Sequence, residues 1–182
     1  KDGGGCDLIM RFWVPSENAR KREKRDQVPY RQWQKEGWLT FTEGDVVDYD
    51  FVRKDLNELR EKYNIRELAI DRWNATQITT QLQGDGFIIE PFGQGYASMS
   101  GPAKEFEKLV IGGQLAHGDN PVLTWMAGNV AAEMDAAGNI KPSKAKSHER
   151  IDGIVAAVMA VGQASKQGGQ QFFYSSNEVE IG

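Results

Sequence analysis

Residues 65–90 read IRELAIDRWNATQITTQLQGDGFIIE, and this stretch decides the fold class. Residues 65–71 (IRELAID) form an apolar run ending on an acid, which predicts a strand. Asn74 is placed to cap a helix that carries Ile78 and Leu82 on one face. Gly84-Asp85-Gly86 breaks that helix, and residues 87–90 (FIIE) predict the next strand, stopped by Pro91. Two strands joined by so short a crossover are parallel neighbours with a right-handed connection. An α/β domain follows.

Upstream, Asp48 or Asp50 is placed to cap a helix that runs to about Tyr63, with Val52, Leu56, Leu59 and Tyr63 as one apolar stripe and Asn64 as its stop. Residues 38–42 (WLTFT) alternate as a strand does, after a short helical turn over 30–36 ended by Gly37. Residues 16–25 are polar and helix-prone behind Ser16 as N-cap. Residues 6–14 (CDLIMRFWV) predict a strand ended by Pro15. Residues 1–5 (KDGGG) predict a turn, so the sequence is expected to start inside a hairpin. Downstream, residues 93–101 (GQGYASMSG) predict a flexible loop into a helix over 102–111. Residues 120–129 predict a helix with Pro121 in its first turn. Residues 136–139 (AAGN) predict a turn between two short strands. A helix over 147–164 closes the domain, which makes residues 1–165 one unit and residues 166–182 a flexible tail.

The 182 residues hold 22 Lys and Arg against 26 Asp and Glu, a net charge of −4. That balance excludes a protein that coats nucleic acid through overall charge, and it leaves local basic patches open. Five Trp and eight Phe supply a core. No apolar run approaches the ~18 residues of a membrane span, and no signal-peptide pattern is present. A cytoplasmic chain with no membrane partner is predicted. Cys6 is the single cysteine, and His117 and His148 are the two histidines. A disulfide framework, a cysteine-rich zinc site and a multi-histidine site are thereby excluded. Any metal would be held mostly by carboxylate oxygens.

Asp152 is the most informative residue. It is the single charge in residues 151–161 (IDGIVAAVMAV), a helix expected to be covered on more than one side. By helical angle it falls at the edge of the bulky face, where a carboxylate must be protonated, paired or bound to metal. The plainer alternative is a salt bridge, or a first-turn acid favoured by the helix dipole. Asp71 ends its strand at the carboxyl edge, where open α/β sheets place binding sites; alone it would read as a turn residue. Together the two could converge on a hard cation such as Mg²⁺ or Mn²⁺. Two such ions stabilise the attacking and leaving oxygens of a phosphodiester displacement. Five of the six residues at 20–25 are basic, and residues 141–150 (KPSKAKSHER) hold four cations against one acid. Both runs fit phosphate contacts, although such runs are usually solvated faces, and the second directly precedes the Asp152 helix. GQGYAS lacks the Lys-Ser/Thr of a phosphate-binding loop, Asp85 suits a structural turn, and no Ser or Cys nucleophile pattern stands out.

Five segments in order resemble one family: RFWVP (11–15), AIDRWNA (69–75), GQGYASMSGPAKEFEKLV (93–110), HGDNPVLTWMAGN (117–129) and NIKPSKAKSHERIDGIVAAVMAVGQA (139–164). They resemble the C-terminal nuclease domain of phage terminase large subunits, the enzymes that cut and package viral DNA. The resemblance implies an RNase H-like mixed sheet flanked by helices, with an antiparallel hairpin start and parallel strands after it. It implies a metal-dependent endonuclease acting on duplex DNA with two Mg²⁺ or Mn²⁺ ions. Asp71 matches the family's second strand acid and Asp152 its helix acid, while Lys144, Lys146 and Arg72 would hold the DNA backbone. The family's first aspartate lies on a strand ahead of the RFWVP strand, and no such strand stands in this sequence. The chain is therefore read as a fragment of a longer protein that carries an ATPase motor domain. With one ligand missing, divalent-ion binding is expected to be weak. Partners implied are the portal and the small terminase subunit, at the viral procapsid in the host cell. The alternative function is a non-catalytic packaging module that docks on those partners, with the two aspartates in salt bridges. A third reading is another RNase H-like nuclease, such as a junction resolvase.

Overall fold

A computed structural model describes residues 5–17, 19–72 and 76–167. Eight short strands and seven helices alternate along these residues: β1 (Cys6–Asp7), β2 (Trp13–Pro15), α1 (Ala19–Asp26), α2 (Tyr30–Lys35), β3 (Thr40–Thr42), α3 (Tyr49–Lys62), β4 (Leu68–Asp71), α4 (Thr76–Gly84), β5 (Ile89–Phe92), α5 (Tyr96–Ile111), β6 (Leu115–Ala116), α6 (Pro121–Asn129), β7 (Ala132–Met134), β8 (Ile140–Pro142) and α7 (Asp152–Gln167). The strands form four two-stranded ladders. β1–β6, β2–β3 and β4–β5 are parallel, and β7–β8 is antiparallel. The fold is mixed α/β, and the single mixed sheet of the sequence reading is divided into these short ladders.

The β4–α4–β5 unit is the one read at positions 65–90, and its strands pair in parallel with Asp71 opposite Phe92. The position of the predicted cap, Asn74, lies outside the described residues. Ile78 and Leu82 turn inward, Leu82 with no exposure at all. Gly86 sits at φ +89°, a backbone region that glycine enters without a steric penalty. The strand predicted at 87–90 is displaced to β5 and runs through Pro91. Proline lacks an N–H, but β5 has a single ladder neighbour among the described residues, so only its other edge carries the hydrogen bonds.

Other boundaries moved for identifiable reasons. The predicted strand over 6–14 splits, because its ends bond to different partners: the Leu8 amide donates to the Ala116 carbonyl (2.7 Å), whereas the Phe12 carbonyl accepts from the Thr40 amide (2.8 Å). Helix α1 starts at Ala19, beyond Ser16, whose amide extends the β2–β3 ladder to the Thr42 carbonyl. Helix α5 begins at Tyr96 rather than after a loop, and Pro102 lies inside it. An internal proline removes one hydrogen bond and crowds the preceding turn. Burial of Met99, Ser100 and Ala103 on the same helix offsets that. Asp48 is the cap of α3, accepting from the Asp50 and Phe51 amides. Tyr63, the last residue of the predicted stripe, is the extended C-cap and is 45% exposed.

Helix α7 begins at Asp152, five positions later than predicted, because Ser147 belongs to a turn. Its hydroxyl donates to the Ser143 carbonyl (2.7 Å) and accepts from the Ala131 amide (3.0 Å). The helix continues to Gln167, across the position where the tail was expected; residues 168–182 lie outside the described residues. It packs against α5, α6 and β4. Ile151, Ile154, Val155, Val158 and Met159 fill the larger core with Phe92, Met99, Leu123 and Trp33. Val52, Ile78, Leu82 and Phe87 form a smaller core under α3 and α4. No helix among the described residues is long and apolar enough to cross a membrane.

Candidate metal and phosphate site

Asp71 closes β4 at its carboxyl edge, half-buried, as the parallel ladder reading required. Its Oδ2 accepts from the Gln94 side-chain amide at 3.0 Å. Gln94 reaches it because β5 runs parallel to β4, so the chain leaving Phe92 passes the end of β4. Gly93, between them, is buried; a Cβ there would meet Ser98 Oγ at 2.9 Å and lie 3.7 Å from the Arg72 guanidinium carbon. Arg72 is exposed, and that distance sets its guanidinium beside the same strand ends.

Asp152 differs from the sequence reading. It lies on the narrow solvent stripe of α7 with Ala156 and Ala160, while Gly153, Ile154, Val155, Ala157 and Val158 are buried. Its side chain is 55% exposed and its Oδ1 is 2.6 Å from Lys144 Nζ, itself 57% exposed. The carboxylate is thus paired on the surface, which is the plainer alternative for it. Lys144 is thus engaged with the candidate metal ligand, through a pair that both partners hold at the surface. Lys146 is exposed in the following turn, with its amide on the Ser143 carbonyl (3.3 Å).

The structure joins Lys144 to Asp152 and sets Arg72 near Asp71 beside Gly93. A polar cluster that no sequence signal marked joins the start of α5 to the segment that carries Lys144. Tyr96, two residues after Gln94, lies under Lys141 Nζ (5.1 Å from the ring centre). Lys141 pairs with Glu133 across the β7–β8 hairpin at 2.8 Å, and the Ser143 hydroxyl donates to Glu133 at 3.0 Å. Hydrogen bonds from Lys141 and Ser143 hold the Glu133 carboxyl below its usual value. Ser143 then leads into Lys144. Gln94 and Glu133 became legible only with the parallel register and the hairpin pairing, which the sequence does not print.

Oxygen donors at Asp71 and Asp152 suit a hard divalent ion, and a unit positive charge already rests on Asp152 in the form of Lys144. Among the described residues no three His, Cys, Asp or Glu side chains are grouped as a metal site. Asp71 and Asp152 each have a different partner there. Asp85 is structural: Arg53 Nε donates to it at 2.6 Å and Asn57 at 3.0 Å, and these bonds hold its carboxyl at about 2. His117 Nδ1 accepts from the Asn120 amide (3.1 Å) and closes the turn before α6.

A family profile described as "Terminase large subunit, endonuclease domain" matches residues 7–168. The chain is 38% identical over 174 residues to the "Terminase, large subunit" of Enterobacteria phage HK97, covering 92% of this chain and 34% of that protein. It is 32% identical over 163 residues to "Protein YmfN" of Escherichia coli K12, covering 86% of this chain and 36% of that one. The crystal structure of the HK97 bacteriophage large terminase superposes with a TM-score of 0.84 at 38% identity, over 90% of this chain and 34% of that chain. The chain spans about a third of the length of these relatives.

Proposed function

Because the chain belongs to the terminase large subunit endonuclease-domain family, we propose that it is the DNA-cutting unit of a viral packaging enzyme and hydrolyses phosphodiester bonds of duplex DNA. The observation that carries this reading is the position of Asp71 at the carboxyl edge of a parallel ladder, inside the matched stretch. On this reading the arrangement is RNase H-like, and Asp71 and Asp152 hold Mg²⁺ or Mn²⁺. Two bound ions would supply Lewis acidity and charge neutralisation at the scissile phosphate. Gln94 fixes the Asp71 carboxylate through its 3.0 Å bond. Lys146 and Arg72 hold backbone phosphates. Lys144 joins them once its pair with Asp152 opens, and exposed pairs of this kind are held by only about 0–1 kcal/mol. The ATPase motor of the parent protein, the portal and the small terminase subunit are the proposed partners, at the procapsid in the host cytoplasm.

Nicking of supercoiled plasmid with Mn²⁺ by the intact protein tests this. Asp71→Asn and Asp152→Asn are expected to abolish nicking while circular dichroism and melting stay at the parent values. Parental nicking by both variants overturns the assignment. The Lys144–Asp152 pair favours a second reading, a packaging module that docks without cutting. Calorimetric titration with Mn²⁺ separates them: saturable binding lost in Asp152→Asn supports the nuclease, and no binding by the intact protein supports the docking module.

A further inference from the structure

Helix α1 carries the sequence ARKREKRD over Ala19–Asp26. Ala19 and Asp26 are buried, Lys21, Lys24 and Arg25 are exposed, and Arg22 is half-buried. Lys21 faces Lys24 and Arg25 at helical spacings of three and four. Like charges so placed weaken a helix. The two acids of the helix also bind outside it. Glu23 accepts from the Arg31 amide at 2.8 Å and from Arg31 Nε at 2.6 Å. The Asp26 side chain is fully buried and accepts from the Tyr30 hydroxyl at 2.8 Å and from Arg25. Both acids thus pin α1 to α2. Among the described residues no ion pair involves Lys21, Arg22 or Lys24.

The second basic run arrives at the same place. Tyr30 stacks edge-on against Trp125 of α6, 6.5 Å between ring centres, in the core that also holds Ile151. Arg150, exposed just before Ile151, stands where its charge acts on both Asp26 and Tyr30, and Glu149 acts on Arg25. Arg150 therefore lies within charge range of the α1–α2 corner and, two residues before Asp152, next to the Lys144 pair, on a chain whose net charge is −4.

We propose that α1 and Arg150 form a phosphate-binding face that tracks the backbone of duplex nucleic acid and continues to Lys144 and Lys146 beside Asp152. The duplex as ligand rests on the endonuclease reading; the face itself rests on the cluster. Protein interfaces are anchored by aromatic and aliphatic side chains at their centre. The large exposed hydrophobics of the described residues, Ile9, Val46, Tyr49, Ile88 and Ile111 among them, all lie outside α1 and residues 144–152. Charge without such anchors suits a phosphate backbone, where each contact acts through counterion release.

Fluorescence anisotropy of a labelled 30-bp duplex, in EDTA so that cutting is off, tests the proposal across a KCl series. Lys21→Gln/Lys24→Gln is expected to weaken binding equally on unrelated sequences. It is also expected to flatten the slope of log K against log salt by about two. Arg150→Gln should flatten it by about one, and Lys62→Gln on α3 should leave it unchanged. Circular dichroism confirms that the variants fold. Parental affinity and slope in the double variant overturn the proposal, as does no duplex binding by the parent at low salt. Retained duplex binding with lost binding to polyglutamate would overturn it in favour of an acidic protein partner. The two readings fail separately. Binding that depends on Lys21 and Lys24 in a protein that never nicks with Mn²⁺ spares the face, whereas nicking by the intact protein with unchanged binding in the double variant spares the nuclease.

Discussion

Lys144 and Asp152 illustrate how little one ion pair fixes when both side chains remain more than half exposed. Substituting Lys144→Met should move the urea midpoint by no more than about 1 kcal/mol in equivalent stability. Asp85 is a different case. Its side chain is 16% exposed, gripped by the Arg53 fork and the Asn57 amide, and it ties α3 to the turn before β5. Its carboxyl is lowered to about 2 from an ordinary 3.8, so the folded form binds that proton less readily than the unfolded chain. Stability from this group is present above about pH 4 and is lost as pH falls towards 2. In Asp85→Asn, urea midpoints between pH 4 and pH 2 should fall less steeply than in the parent; an identical slope refutes the linkage. The Gly-Asp-Gly spacing marked the turn in the sequence. It could not name Arg53, because that partner lies on another helix. Asp152 shows the converse limit: its place on the exposed stripe depends on which side of α7 the other helices cover.

At the scale of elements, the contact between α5 and α7 explains why a proline sits inside a helix. A Cβ on Gly162 would lie 2.5 Å from Pro102 Cγ and 3.3 Å from Phe92 Cζ. The proline ring therefore occupies the space that the glycine leaves free, and neither residue reads correctly alone. Gly162→Ala gains helix propensity of about 1 kcal/mol. Against this, a proline ring cannot rotate away, and overpacking costs roughly 1–3 kcal/mol. The clash should win, with a lower melting temperature. At Gly153 the neighbours are Met126 Sδ and the Phe12 ring, both at 2.8 Å. The thioether can swing aside, so Gly153→Ala should be milder than Gly162→Ala, a ranking that thermal melts check directly.

At the scale of the whole molecule, two apolar clusters divide the fold. The larger one joins α7 to α2, α5 and α6, and the smaller lies beneath α3 and α4. Leu82 is wholly buried in the smaller cluster, so Leu82→Ala should cost about 3 kcal/mol and lower the melting temperature by roughly 10 °C. A loss below 1 kcal/mol would mean that this cluster is loosely packed. The α/β class, the parallel β4–β5 pair, the α3 start at Asp48 or Asp50, the α6 helix with Pro121 in its first turn and the β7–β8 hairpin were legible in the sequence, because each is written in neighbouring residues. Periodicity, capping and turn chemistry act over a few positions, and a linear reading captures them. Tertiary structure alone decided the division of the 6–14 strand, the start of α5, the pairing of Lys144 with Asp152 and the meeting of α1 with Arg150. Each of these depends on which distant surface fills the space beside a residue, and packing, unlike local propensity, is not encoded within a short window of the chain.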